Sequence, residues 1–270
     1  MIGKIIKIIS NDYTVLCNEN TYVCKSRGKF RNMNITPLVG DNVVFSVEDK
    51  YILEILERKN SLVRPPVANI DQAVIIMSLK EPDFSTNLLD KLLVVIEASN
   101  IKPIICFTKI DLVNANDFKD YFDYYKSIGY EVYFNNQLED IKNIFKDKIT
   151  VLAGQSGAGK SSFLNKLDIT LNLKTDQISK ALGRGKHTTR HVELINVLDG
   201  YIADTPGFSA IDLNKLDNIL IKDCFIEFQN ECKFSDCMHN NEIDCMVKKR
   251  VKENKIIKSR YENYLKFISK

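Results

Sequence analysis

The stretch that most restricts the fold of this chain is Gly154-Gln155-Ser156-Gly157-Ala158-Gly159-Lys160-Ser161, which meets GxxxxGK[ST] at every fixed position. The apolar run ITVLA precedes it, and SSFLNKL follows with helical spacing. Strand, glycine-rich loop and helix in that order gather backbone N–H groups around a phosphate at a positive helix end. Lys160 is then expected to reach the β- and γ-phosphates and Ser161 to hold Mg²⁺, with Gly154 through Ser162 lining the phosphate site. Such a unit belongs on a parallel α/β sheet.

Two further motifs complete a nucleotide site. Asp204-Thr205-Pro206-Gly207 ends the apolar strand YIA, where a carboxylate can reach Mg²⁺ and the Gly207 N–H can meet the γ-phosphate. Thr108-Lys109-Ile110-Asp111 follows the strand PIICF. The Asp111 carboxylate can accept from both N1–H and the exocyclic amine of guanine, a pair that adenine lacks, so GTP is expected over ATP. Lys109 is expected to lay its aliphatic stem along the base. Taken alone KxD is a common surface pattern, and its place after a strand, beside a phosphate loop, gives it meaning. Ordinary GTPases present the phosphate loop first, then DxxG, then [NT]KxD. Here TKID precedes GQSGAGKS, which precedes DTPG, so the motifs are circularly permuted. A domain whose natural ends lie near one another tolerates this.

Around the motifs, buried-strand runs (QAVIIM, PIICF, YEVYF, TVLAG) alternate with helical patterns such as STNLLDKLLVVIEAS, the signature of βαβ units. Before them, KIIKII, YTVLC, TYVCK, NVVFSV and YILEIL are short strands with polar turns, which predict a small barrel. Arg64-Pro65-Pro66 reads as a linker. The division expected is a β-barrel over residues 1–64, a nucleotide-binding α/β domain over 65–215, and a Cys-rich, then Lys-rich and helical domain over 216–270. The net charge of +3 says nothing by itself, but residues 247–270 hold nine Lys/Arg against Glu253 and Glu262, which makes the end of the chain a basic arm or a solubilising helix. No run approaches the roughly 20 apolar residues of a membrane span, and the amino terminus lacks a cleavable leader pattern, so a cytoplasmic protein without membrane contact is expected.

Cys232, Cys237, His239 and Cys245 offer three thiolates and an imidazole within fourteen residues, enough to close a tetrahedral structural Zn²⁺ shell, or else to leave reduced cysteines in a small core. Lys25, Arg27, Lys29 and Arg31 recur at every second position beside aromatic residues, a candidate RNA-binding stripe. Hydrolysis needs a group that positions water, commonly a Gln after DxxG, and Phe208 stands there instead. In GRGKHTT, His187 is a candidate for that task or a nucleic-acid contact, and Thr188 or Thr189 a candidate switch residue over Mg²⁺.

Together these features resemble the circularly permuted GTPases that act in late maturation of the small (30S) ribosomal subunit. The resemblance runs through Val39-Gly40-Asp41, Arg64-Pro65 to Asn69-Ile70-Asp71-Gln72, TKIDL, GQSGAGKSS, Gly183-Arg184-Gly185-Lys186-His187-Thr188-Thr189, DTPGF and the Cys/His cluster. It implies an N-terminal OB-fold, a C-terminal zinc domain with one Zn²⁺, and a GTPase that uses Mg²⁺ with GTP. It also implies stimulation by the small subunit, contact with its 16S-type rRNA, release after hydrolysis and action as a monomer. Two departures stand out. Thr108 replaces the Asn of NKxD, which removes a side-chain amide expected at the base edge, and Asn135-Asn136-Gln137 replaces an [ST]A-type loop that would meet guanine O6.

Overall fold

The computed structural model describes residues 1–28, 30, 35–63, 65–168, 192–204, 213–228 and 232–269. Alternation of inward and outward residues builds the N-terminal barrel from β1 (Ile2–Ile9), β2 (Asp12–Cys17), β3 (Asn20–Ser26), β4 (Asn42–Ser46) and β5 (Tyr51–Ile55). Antiparallel β1–β2, β2–β3 and β4–β5 pairs, a parallel β3–β5 pair and an antiparallel β1–β4 pair close it around Ile5, Val15, Val43, Phe45 and Ile52. Closure removes the free edges that an open five-stranded sheet would leave.

Paired strands flank the segment expected as a linker, and its Pro66 belongs to one of them. β6 (Ser61–Val63) pairs antiparallel with β7 (Pro66–Ala68), and Val67 bridges to Val39 of the barrel. Proline is tolerated because Pro66 opens a strand of a two-stranded ribbon, where its missing N–H interrupts no central ladder. The residues around it form the joint. Gly40, at φ 91°, passes so close to Ala68 that a Cβ would stand 2.1 Å from its carbonyl oxygen. Buried Asp41 accepts both Nε and Nη2 of Arg58, at 2.6 and 2.7 Å. Asn69 donates to Gly40 O at 2.9 Å, and Asp71 accepts the Ile149 N–H at 2.7 Å, tying the joint to the central sheet.

That sheet is parallel over β10 (Glu131–Phe134), β9 (Lys102–Thr108), β8 (Gln72–Ser78), β11 (Ile149–Ala153) and β13 (Gly200–Asp204), in that spatial order. β12 (Val192–Val197) pairs antiparallel with β13, then with β1 at Lys7–Glu193 and Ile8–Val192, so barrel and central sheet are continuous. Every residue of β8 is buried because both its faces are covered. Ala73, Ile75 and Met77 pack with α1 (Thr86–Ala98) and α2 (Lys119–Ser127), while Val74 and Ile76 pack with α3 (Leu138–Lys142) and α4 (Lys160–Leu167).

Residues 213–228 and 232–269 include α5 (Asn218–Asp223), α6 (Met246–Lys252) and α7 (Lys258–Ile268). The basic end of the chain is therefore not a free arm. Its Arg260 is fully buried, paired with Asp90 of α1 and with Glu227, each at 2.7 Å, and stacked 4.4 Å above the Phe225 ring. Lys249, Lys252, Lys255, Lys258 and Lys266 stay exposed. Among the described residues no helix is long and apolar enough to cross a membrane.

Candidate nucleotide site and metal centre

Five parallel strands deliver their carboxyl ends to one edge, the place where open α/β sheets bind ligands. The phosphate loop follows β11 and enters α4 through Gly159, at φ 90°. Gly154, at φ 130°, runs against β8, where a Cβ would stand 2.2 Å from Ile76 O, so no other residue fits. Lys160 Nζ donates to the carbonyls of Gly154 and Gln155, each at 2.7 Å, and burial lowers its pKa to about 8. Ser161 and Ser162 follow on the first turn of α4, and Ser156 and Gly157 are exposed at the loop's tip.

Thr108, Lys109 and Asp111 leave the end of β9, one strand beyond β8 from the phosphate loop. The structure places Thr108 at the buried end of β9. Its hydroxyl donates to Ala158 O at 2.7 Å, fastening this loop to the phosphate loop. A hydroxyl at the end of β9 thus reaches the loop after β11, two strands away, with β8 between them. Lys109 is left-handed at φ 57°, with its Nζ bonded to the Glu81 carbonyl, and Asp111 is exposed in the turn Ile110–Leu112.

Beside them, the loop after β10 has its backbone largely committed. Asn135 N–H donates to Phe107 O at 2.9 Å, Gln137 N–H donates to Phe134 O at 2.9 Å, and the Gln137 side chain accepts from Phe134 N–H at 3.0 Å. Among the described residues Asn136 is the loop position whose N–H has no partner. Asp204 ends β13, which lies beside β11, so this motif begins next to the phosphate loop. The Asp204 side chain, Gly207, Phe208, His187, Thr188 and Thr189 lie outside the described residues, as do Lys29 and Arg31 of the candidate RNA-binding stripe. Sequence reasoning missed the Glu81 carbonyl, which no side-chain pattern announces.

The metal ligands converge. His239 Nδ1 lies 3.4, 3.3 and 3.4 Å from the sulfurs of Cys232, Cys237 and Cys245, and Cys232 and Cys245 are 3.8 Å apart. A tetrahedral Zn²⁺ with its usual bond lengths requires S···N of about 3.5 Å and S···S of about 3.8 Å. The Cys₃His cluster is thus compatible with one zinc, and its four ligands leave no position open. Its frame is partly made by residues the sequence did not flag. Glu242 accepts the N–H groups of Met238 and Asn240, at 2.7 and 2.8 Å, and Tyr264 and Tyr261 of α7 donate to the carbonyls of Met238 and His239, at 2.5 and 2.7 Å.

Comparison with known proteins agrees with this geometry. A family model described as RsgA GTPase matches residues 55–214, and one described as RsgA N-terminal domain matches residues 2–52. The chain belongs to the RsgA GTPase family. Relatives include the Small ribosomal subunit biogenesis GTPase RsgA 1 of Listeria monocytogenes serotype 4b, 49% identical with 98% of this chain and 96% of that one covered. The RsgA protein of Enterococcus faecalis is 47% identical over 98% of this chain and 94% of its own length. Two crystal structures superpose on the whole fold. YloQ, described as a circularly permuted GTPase, gives a TM-score of 0.83 at 41% identity, covering 99% of this chain and 93% of that one. YjeQ from Thermotoga maritima gives 0.85 at 34% identity, covering 99% and 97%. Membership of the RsgA family makes the chain a GTP hydrolase built as an OB-like barrel, a permuted GTPase domain and a metal-binding helical unit.

Proposed function

We propose that this protein hydrolyses GTP in late maturation of the small ribosomal subunit, binding the subunit and its 16S-type rRNA as a monomer in the GTP state and leaving after hydrolysis. The observation that carries the reading is the junction of base loop and phosphate loop through the 2.7 Å Thr108–Ala158 hydrogen bond. The names borne by relatives at 47–49% identity support the choice of subunit. In this reading Asp111 accepts from guanine, Lys109 covers the base and the Asn136 N–H meets O6. The amides from Gly154 to Ser162 and the Lys160 ammonium hold the phosphates, Ser161 and Asp204 hold Mg²⁺, and the Gly207 N–H meets the γ-phosphate. Residues 65–215 perform the chemistry. The barrel of residues 1–64, with Lys25 and Arg27 exposed, and the cations of residues 216–270 hold rRNA in the cytoplasm.

Lys160 gives the reading a pH signature. With its pKa lowered to about 8 in the free protein, the amine must regain a proton to bind nucleotide at higher pH. GTP affinity is therefore expected to be flat between about pH 7 and 8, then to fall by up to about tenfold per pH unit. A fluorescent-nucleotide titration across that range checks it, and constant affinity up to about pH 9 contradicts the depressed amine.

With Phe208 where a Gln commonly stands after DTPG, His187 is our candidate for positioning the water, with Thr188 or Thr189 closing over Mg²⁺ when the subunit fixes that segment. His187→Ala is expected to keep GTP affinity and subunit binding and to lose most subunit-stimulated turnover. Intact stimulated turnover in that variant assigns the water to backbone or rRNA groups instead.

A further inference from the structure

Helix α7 grips the beginning of α1. Asn263 is buried, its amide donating to Asp90 Oδ2 at 2.7 Å and to Thr86 Oγ1 at 3.3 Å, and its oxygen accepting from Asn87 Nδ2 at 3.1 Å. Arg260, one turn earlier, holds the other oxygen of Asp90. Helix α1 starts directly after residues 79–84, and this loop leans on both halves of the nucleotide site. Leu79 N–H donates to Thr108 O at 3.2 Å, the Glu81 carbonyl accepts from Lys109 Nζ, and a methyl built on Gly157 would meet Pro82 Cδ at 3.6 Å. Phe84 packs edge-on against Phe107, the residue before Thr108, at 5.6 Å, and Ser85 caps α1 by accepting from Leu88 N–H at 3.2 Å. A chain of contacts through the start of α1 and this loop thus runs from Asn263 to Lys109.

We infer that Asn263 is a positioning residue for the guanine end of the nucleotide site: by fixing the first turn of α1 it fixes residues 79–84 and, through the Glu81 carbonyl, the place of Lys109. The inference rests on the reading of Lys109 and Asp111 as base-binding residues. It gives the metal-bearing unit a second task, because a macromolecule that shifts α7 then alters guanine-nucleotide affinity, and nucleotide reciprocally alters the hold on that macromolecule.

The test uses the zinc-loaded full chain and a fluorescent GDP analogue, with metal content and thermal midpoint recorded for each variant. Asn263→Ala is expected to raise the GDP Kd about fivefold, chiefly through faster release, with turnover at saturating GTP unchanged. Asn87→Ala, which removes one of the same bonds from an exposed position, shifts affinity in the same direction by less, and Lys266→Ala, exposed on α7, leaves it alone. In a double-mutant cycle, Asn263→Ala costs nothing further once Lys109→Ala is present. An additive loss makes the contact a mere fold support and overturns the inference. So does unchanged GDP affinity in both Asn variants while Asp111→Asn weakens binding. If Lys109→Ala and Asp111→Asn both leave GDP affinity intact, the base-site reading fails and takes the inference with it.

Discussion

Asp111→Asn is expected to weaken GTP binding by on the order of a hundredfold and to turn preference toward xanthosine nucleotides, because two charge-assisted hydrogen bonds are lost together. The carboxylate accepts from N1–H and from the exocyclic amine of guanine; an Asn amide offers a donor where that amine also donates, and the two repel. Xanthine carries an oxygen at the same position and accepts the amide's hydrogen. The local backbone makes the substitution informative, since Asp111 is exposed in a short turn, between left-handed Lys109 and Val113, and takes part in no buried network. The fold therefore survives the change, and titration with guanosine and xanthosine diphosphates reads the base contact alone. Unchanged guanine affinity would remove Asp111 from the site.

Removing zinc is expected to have the other large effect. The loop of residues 232–245 exposes Phe234 and Ile243 and buries mainly its own ligands, so little apolar packing orders it without the metal. Zinc binding to such a set is worth on the order of 10 kcal/mol at neutral pH, far more than the hydrogen bonds from Glu242, Tyr261 and Tyr264 that complete its frame. Protein purified without chelator should contain one zinc per chain. Cys237→Ala, or prolonged chelation, should make the region from residue 232 to α6 sensitive to protease, while α7 stays docked through Arg260 and Asn263. Equal protection with and without metal contradicts a structural role.

What the sequence disclosed depended on how local each cause was. Alternation in DYTVLC and NVVFS and the continuous apolar run QAVIIMS are set by the faces those strands bury, so the barrel and the parallel sheet were both readable. The strand–loop–helix around the glycine-rich motif and the convergence of the Cys/His cluster were equally legible, since each is set within a short stretch of chain. Other features depend on chain segments far apart. Arg64-Pro65-Pro66 suggested a linker, yet strands pair on either side of it, and Val39, far earlier in the sequence, bridges to Val67. Arg260 looked like one more cation in a basic run until Asp90, 170 residues away, and Glu227 enclosed it. The tie from Thr108 to the Ala158 carbonyl was not readable either, because the two lie 50 residues apart.

If nucleotide state governs attachment to the small ribosomal subunit, cosedimentation of the full chain with purified small subunits should show it. With a non-hydrolysable GTP analogue the protein should pellet with the subunits, and with GDP it should stay in the supernatant. Lys160→Ala should lose the analogue-dependent fraction. Equal pelleting in the GDP and analogue states would mean that nucleotide state does not govern subunit binding.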